Sequence, residues 1–418
     1  MRMQMPTHMI AEPLQRLEHL TFKGNLKATR YGWLRLTPAY SVHLVTELLE
    51  STVQAGERVL DPFCGTGTTA LVCAERGIRC DTTDINPFLL WLAKVKTATY
   101  TTTRIRAFEE KAAAVRRAML RAPGRDPWVP ALHQIEKWWD ANTLGSLARG
   151  MVAIRSEKAG AVADLLRIAF CRTMIARANV SFGHQSMSFK KAPQGPVLFR
   201  ELPEAGEVAA TWSQAVEAIA RAATSEILAE PTALLCDSRD LRSVFKKNTY
   251  DCVITSPPYP NRMSYIRELR PYMYWLDYLD NGRAAGELDW LAIGGTWGCA
   301  TSNVAKWVPE KPIEVPFKGF NKIVAAIGET SPVLGRYVAK YFHDMVSHCE
   351  SLFAVVTRGG SVHYIVGNSK FYDVMLPVER IYAAMFASVG FTDVSVKAIR
   401  KRSSKKELFE FVVSAKKP

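Results

Sequence analysis

Hydrophobic residues recur with two periods along the chain, and the places where the period changes mark its elements. Residues 41–53 (SVHLVTELLESTV) repeat at helical spacing and stop before Gly56, and RVLDPF at 58–63 is a short apolar strand. A Gly-rich turn and the helical TTALVCAERG follow, closed by Gly77. Next come the strand IRCDTTDI and the helical NPFLLWLAKVKTATY, together spanning 78–100. Strand, helix, strand, helix predicts a parallel sheet covered on both faces. From about 100 to 228 the strand rhythm vanishes, and segments such as FEEKAAAVRRAML, DLLRIAFCRTMIAR and AATWSQAVEAIARAATSEIL read as helices. Strands return at 232–241 (TALLCDSRDL), 250–259 (YDCVITSPPY) and 361–369 (SVHYIVGNS). The helix before the last of these carries Tyr341, Met345, Leu352 and Val356 at helical spacing, with Gly359 and Gly360 where a C-terminal cap is expected. The final stretch, FTDVSVKAIRKRSSKKELFEFVVSA, reads as a β-hairpin with a polar tip.

These pieces assemble most simply into an α/β fold: a doubly wound sheet interrupted by a mostly helical insert and ending in a C-terminal β-hairpin. The boundaries expected are an N-terminal extension at 1–33, a core at 34–100 and 230–418, and the insert at 101–229. Within the core, 280–332 has no regular period and is read as a long loop, its Trp290, Trp297 and Trp307 as packing residues.

Composition narrows the partners. Lys and Arg total 54 against 40 Asp and Glu, a formal charge of +14 and a pI near 9.4, which favours polyanions because the summed field attracts phosphate. No run approaches the ~20 apolar residues that span a bilayer, and the N-terminus lacks a secretion signal. Eight cysteines, at 64, 73, 80, 171, 236, 252, 299 and 349, form no CxxC pair. A cytoplasmic protein with reduced thiols and no metal site is expected.

Candidate chemistry gathers at the strand ends. Asp61-Pro62-Phe63-Cys64-Gly65-Thr66-Gly67-Thr68-Thr69 joins an apolar strand to a helix, and glycines at 65 and 67 allow a tight turn and close approach of a ligand. Ligands of open α/β sheets bind outside the carboxyl ends of the strands, where this loop falls. It is neither a GxxxxGK[ST] phosphate loop nor a full dinucleotide fingerprint. Asp84 ends the next strand, followed by Ile85, Asn86 and Pro87, and a carboxylate there can accept from both hydroxyls of a ribose. Asp237 ends the third strand, where a carboxylate can accept from an adenine amino group. Each acid alone is more often a loop residue or a helix N-cap.

Together these segments resemble a known family. DPFCGTGTT is similar to the cofactor loop of amino-methyltransferases that modify DNA. TDINP and LLCDSRDL resemble the ribose- and adenine-binding strand ends of S-adenosylmethionine-dependent enzymes at large. Leu36-Thr37-Pro38-Ala39-Tyr40-Ser41 resembles the element that closes over the methionine part of that cofactor. The resemblance covers about 34–100 and 230–415. It implies a class I methyltransferase (Rossmann-like) sheet and S-adenosyl-L-methionine at Thr37, Asp61, Phe63, Cys64, Gly65, Thr66, Gly67, Thr68, Asp84, Asn86 and Asp237.

Thr255-Ser256-Pro257-Pro258-Tyr259 follows the apolar strand DCVI. Two prolines fix two φ angles and remove two backbone donors, so the loop is stiff and its carbonyls stay free. An exocyclic amine is a poor nucleophile because its lone pair is delocalised into the ring. Hydrogen bonds from its N–H groups to the Pro257 carbonyl and the Ser256 hydroxyl would free that pair, and Tyr259 can stack on the base. The expected reaction is direct displacement, resting on positioning and electrostatics. The motif closely resembles that of cytosine-N4 DNA methyltransferases, with Ser256, Pro257, Pro258 and Tyr259 as catalytic residues. Adenine-N6 members more often carry Asp at the first position and remain an alternative. Methylation of an RNA base and a DNA-binding protein with an inactive core are the others. No Pro-Cys dipeptide occurs, so a cytosine-C5 enzyme is excluded.

A base within a duplex cannot reach such a pocket, so the resemblance implies base flipping in double-stranded DNA, and a cognate restriction endonuclease as a partner. From Leu165 to Arg200 the chain has six Lys or Arg and no acid. Arg177, His184, Lys190 and Lys191 there, with Asn179, Gln185 and Ser186, are candidates for DNA contacts and place target recognition in the insert. The hairpin tip adds Arg400, Lys401, Arg402, Lys405 and Lys406.

Overall fold

The computed structural model describes residues 21–25, 29–36, 39–122, 128–181, 187–190, 205–261, 264–296, 298–309, 314–402 and 407–418. The chain begins with α1 (Phe22–Asn25) and α2 (Val42–Thr52), then β1 (Arg58–Asp61), α3 (Thr68–Glu75), β2 (Arg79–Asp84) and α4 (Pro87–Thr97). The insert comprises α5 (Thr102–Leu120), α6 (Ile135–Trp138), α7 (Ala141–Arg155), α8 (Ala161–Ala176), the short strands β3 (Val180–Ser181) and β4 (Ser188–Phe189), and α9 (Ala205–Ala223). The second half of the core opens with β5 (Thr232–Leu235) and β6 (Tyr250–Thr255). Five helices follow: α10 (Tyr265–Trp275), α11 (Gly282–Leu291), α12 (Cys299–Lys306), α13 (Phe320–Thr330) and α14 (Pro332–Val355). The chain ends with β7 (Val356–Gly367), β8 (Ser369–Phe371), β9 (Val374–Leu376), α15 (Val378–Ser388), β10 (Thr392–Lys401) and β11 (Phe409–Lys416).

Seven strands form one sheet in the order β10-β11-β7-β6-β1-β2-β5. The five from β7 to β5 are parallel, and the β10–β11 hairpin adds antiparallel to β7. This is the doubly wound sheet expected. β1 lies between β2 and β6, so successive connections leave it in opposite directions and a crevice opens beside its carboxyl end.

One core cluster lies against the sheet with α14 and α15, and another lines the opposite face with α2 and α3. The insert does not stand apart. Its helices share a core with α4 and α10, where Phe88 stacks on Tyr272 at 5.7 Å and Trp275 meets Trp139 and Phe170 edge-on.

Two expectations need correction. Residues 280–332 are not a long loop but carry α11, α12 and α13. α11 and α12, of 10 and 8 residues, are shorter than the window in which a helical period stands out, α13 at 11 residues barely fills it, and GGTWGCATSN hides the start of α12. Among their tryptophans, Trp290 packs under the Lys340 ammonium at 4.7 Å and Trp307 meets His343 edge-on, while Trp297 lies outside the described residues. Gly359 and Gly360 do not cap α14: the helix passes directly into β7, and Gly359, at φ +78°, sits where the β6–β7 register shifts. An L side chain strains that conformation, so glycine permits the bend.

Arg30 was not anticipated. Fully buried, it donates to Lys96 O (2.9 Å) and Ala98 O (2.6 Å) at the end of α4. Its other nitrogens donate to Ala222 O (3.3 Å), Ala223 O (2.8 Å) and Ser225 O (2.9 Å) at the end of α9. A cation at two helix C-termini also answers both macrodipoles. We expect Arg30→Met to cost ~3 kcal/mol or more, since each buried carbonyl left unpaired costs ~1–3. Arg30→Lys should recover only part, because an ammonium lacks the planar five-donor fork. Urea midpoints with unchanged slopes would measure both. Wild-type stability in Arg30→Met would remove the role.

Candidate active site

The carboxyl ends of β1, β2, β5 and β6 open on one cavity of about 280 Å³. Phe63 and Gly65 enter it after β1, Asp84, Ile85 and Asn86 after β2, and Asp237 and Ser238 after β5. Ser256, Pro257, Pro258 and Tyr259 enter after β6. Tyr40, the Leu291–Ile293 turn after α11, and Arg400, Arg402 and Glu410 of the hairpin complete the wall.

The β1 loop is built by close approach. Gly67 has φ +74°, and a Cβ there would lie 3.0 Å from Ala93 Cβ of α4, so helix packing and conformation both demand glycine. The buried Lys96 ammonium donates to Thr66 O at 2.9 Å, and burial pushes its pKa down to about 8. Asp84 takes the Gly65 N–H at 3.0 Å and the Asn86 N–H at 2.9 Å, tying the β1 and β2 loops together. Burial raises its carboxyl to about 6 against those hydrogen bonds. Asn86 in turn caps α4 by accepting from Phe88 N at 3.0 Å.

Of the expected cofactor residues, Phe63, Gly65, Asp84, Asn86 and Asp237 line the cavity. Asp61, Cys64, Thr66, Gly67 and Thr68 do not: they stand behind the loop and shape it, the Thr66 and Thr68 hydroxyls bonding each other at 3.0 Å. Thr37 lies outside the described residues, and its neighbours Ala39 and Tyr40 line the wall. Asp61 is the node behind the site. It accepts from Thr255 Oγ1 (2.6 Å), Phe63 N (3.2 Å) and Tyr40 OH (3.2 Å), so one carboxylate joins the loops after β1 and β6 to the segment before α2.

Asp237 is already engaged. The Arg239 guanidinium holds it at 2.6 Å, reaches Asp344 at 3.1 Å, and donates to Leu291 O at 2.8 Å, which fixes the rim over β5. Beneath the site His348 donates through Nδ1 to Ser238 O (2.8 Å) and accepts from Tyr364 OH (2.6 Å). Burial drives this imidazole down to about 4, so it is neutral, and it packs on Phe63 at 4.8 Å.

The β6 loop is held from three sides. Ser256 Oγ donates to Ile365 O at 3.0 Å, Tyr341 OH donates to Pro258 O at 2.7 Å, and Tyr259 N donates to Tyr265 OH at 3.2 Å. Spending its proton on Ile365 leaves the Ser256 oxygen as an acceptor. Among the described residues no donor reaches the Pro257 carbonyl, so it and the Ser256 oxygen both keep acceptor capacity.

The basic residues divide sharply. Arg167 pairs with Asp164, Arg177 pairs with Glu207, and Arg172 donates to Gly32 O, so the first half of the acid-free tract is internally committed. This removes Arg177 from the free cations. Lys190 is exposed, whereas His184, Gln185, Ser186, Lys191, Lys405 and Lys406 lie outside the described residues. Arg400 and Arg402 both line the cavity, Arg400 bonded to Glu410. Lys401 is half-buried between them. Sequence reasoning named Tyr40 only as part of the 36–41 element and missed Arg239 and Glu410 as site residues, although Glu410 had a signal as an acid within the apolar alternation of FEFVV.

Residues 35–95 match the DNA methylase family of N6 and N4 methyltransferases. The chain is also similar to the type II methyltransferase M.AvaI of Nostoc sp., 21% identical over 398 residues that span 89% of this chain and 81% of that one. M.BsoBI of Geobacillus stearothermophilus, another type II methyltransferase, is 33% identical over 69 residues, covering 16% of this chain and 14% of its own. M.MjaII of Methanocaldococcus jannaschii, also type II, is 40% identical over 57 residues, covering 14% and 11%. Among solved structures, TrmN from Thermus thermophilus overlaps 96% of this chain and 53% of its own, with 11% identity and a TM-score of 0.31.

Burial pushes the Asp61 carboxyl from 3.8 up to about 7, against the hydrogen bonds it accepts. The native state therefore holds this proton more tightly than the unfolded chain does. The resulting stability is complete below about pH 4 and lost as pH rises through about 7. In Asp61→Asn that component disappears, so denaturation midpoints should fall less steeply between about pH 4 and pH 8 than in the wild type. Parallel profiles would show that Asp61 does not titrate there.

Proposed function

Because the chain belongs to the DNA amino-methyltransferase family, we propose that it transfers a methyl group from S-adenosylmethionine to the N4 amino group of a cytosine extruded from duplex DNA. We extend the reading to the modification half of a restriction-modification system, a role supported by its likeness to type II methyltransferases. The observation that carries the reading is spatial: Ser256 and Pro257 line the same cavity as Asp84 and Asn86.

The cavity suits the cofactor. Gly65 leaves the floor without a Cβ, Asp84 offers carboxylate oxygens at a strand end, and Phe63, Ile85 and Ile293 supply apolar walls for an adenosine. Phe63, Gly65, Asp84 and Asn86 would hold it, with Arg239 orienting Asp237 at the adenine end. When bound, S-adenosylmethionine supplies an electrophilic methyl group.

The chain's own residues then act on the base. An exocyclic amine has two N–H groups, and the Ser256 oxygen and the Pro257 carbonyl take one each. That pulls the nitrogen toward tetrahedral geometry and releases its lone pair from the ring. Tyr259 stacks on the base, and the anchors at Ile365, Tyr341 and Tyr265 keep the loop in place, so little reorganisation is needed. For a polyanion, Lys190 on the insert and the net charge of +14 offer long-range attraction.

Sequencing that detects modified bases, applied to DNA from cells expressing the protein, should find N4-methylcytosine in one short context. N6-methyladenine instead would overturn the base assignment, and unmodified DNA would overturn the substrate. In single-turnover assays Ser256→Ala should lose at least about a hundredfold in rate, the loss typical of a missing transition-state hydrogen bond. Its affinity for S-adenosylmethionine should not change. An unchanged rate would remove Ser256 from the chemistry.

A further inference from the structure

The aromatic ring of Tyr259 is gripped by a part of the chain that carries none of the family's sequence motifs. Glu410 lies in β11 and is 6% exposed, on a strand whose other buried residues, Val412, Val413 and Ala415, are all apolar. One carboxylate oxygen accepts from Tyr259 OH at 2.9 Å, and the other accepts from Arg400 Nε at 2.7 Å. Arg402 lies over the Tyr259 ring, its guanidinium carbon 5.0 Å from the centroid. Arg402 is itself pinned: Nη1 donates to Asn368 O at 3.0 Å and its backbone N–H to Leu408 O at 2.7 Å. Gly367 makes room, since a Cβ there would collide with Arg402 and lie 3.1 Å from the ring.

A tyrosine on a loop can rotate about its side-chain bonds, and the prolines before it restrain only the backbone. Here the hydroxyl and the ring are held from outside the loop. Burial keeps the phenol protonated far above its ordinary range, so it remains a donor to the carboxylate.

We propose that Glu410 is a positioning residue for the target base: it holds the Tyr259 ring in its stacking orientation before the base arrives. Arg400 fixes the far carboxylate oxygen, and Arg402 steadies the ring. The inference rests on the reading of Tyr259 as the stacking platform. It adds that the C-terminal hairpin belongs to the base pocket and does not serve only as a grip on phosphates. Pre-setting the ring removes an ordering step from the encounter with the flipped base.

The test is a double-mutant cycle on the full-length protein, read as the single-turnover methylation rate and, separately, S-adenosylmethionine affinity. Tyr259→Phe and Glu410→Ala break the same hydrogen bond from opposite ends. Each should slow methyl transfer by about tenfold, the loss expected for a hydrogen bond to a charged group. The double variant should be no slower than the worse single one. Glu410→Gln, whose amide oxygen still accepts from the phenol, should recover most of the rate. Cofactor affinity should stay within about twofold throughout, a readout that a general loosening of the hairpin would move. Additive losses, or wild-type rates in both single variants, would overturn the proposal. Should Glu410→Ala fail to fold, Tyr259→Phe decides alone. Tyr259→Ala separates the two levels: if it keeps the full rate, the stacking reading itself fails. If it loses the rate while Tyr259→Phe and Glu410→Ala do not, only the role of Glu410 fails.

Discussion

The guanidinium of Arg30 closes the ends of α4 and α9, and most of the architecture depends on that closure. α4 backs the Gly-rich loop through Ala93, and its Lys96 holds the Thr66 carbonyl, so an error in α4 is an error in the cavity floor. α9 ends the insert and delivers the chain to β5. Among the described residues Arg30 makes no ion pair; its charge is answered by carbonyls and by the Trp33 and Tyr100 rings, at 5.7 and 5.2 Å. Burying a charge in this way is costly unless every donor is used, and the five carbonyl contacts meet that condition.

Behind the site a second node works by the same logic with the opposite sign. Asp61 gathers donors from its own loop at Phe63, from Tyr40 before α2 and from Thr255 at the end of β6. The two loops that would face cofactor and base are therefore not independent surfaces. Thr255 precedes Ser256 and Phe63 follows Asp61 by two residues, so a shift in one loop is felt by the other through a single buried carboxylate. Position, rather than reactive side chains, is what this arrangement supplies, and direct displacement asks for little else.

The sheet, its order of elements and the strand-end motifs were legible because each carries a local signature: a change of period, a glycine pair, a proline pair. Glu410 and Arg239 were not, because their meaning lies in partners distant in sequence: Glu410 reaches Tyr259, and Arg239 reaches Asp344 and Leu291. The acid-free tract overstated the number of free cations for a related reason. Counting charges cannot tell that Arg177 has Glu207 beside it, or that Arg172 faces the Gly32 carbonyl. Short helices escaped as well, since the eight residues of α12 offer too few turns to reveal a period. Their existence is settled by the core they join, through Val304 among others.

The Arg30 closure also bears on how the chain reaches its native state. β2 and β5 pair in parallel, Asp84 opposite Leu235, although the whole insert separates them in sequence. Joining ends so far apart costs configurational entropy when the intervening chain is disordered, and contacts of high sequence separation slow folding. The described part of the insert is largely helical, so many of its contacts are local. With the ends of α4 and α9 joined at Arg30, the two ends of the excursion lie together, and β5 is presented to β2 as if by a short crossover. The central pairing of β1 with β6, Val59 opposite Cys252, can then follow. The excursion that interrupts the sheet in sequence thus acts, once folded, as a short tether in space.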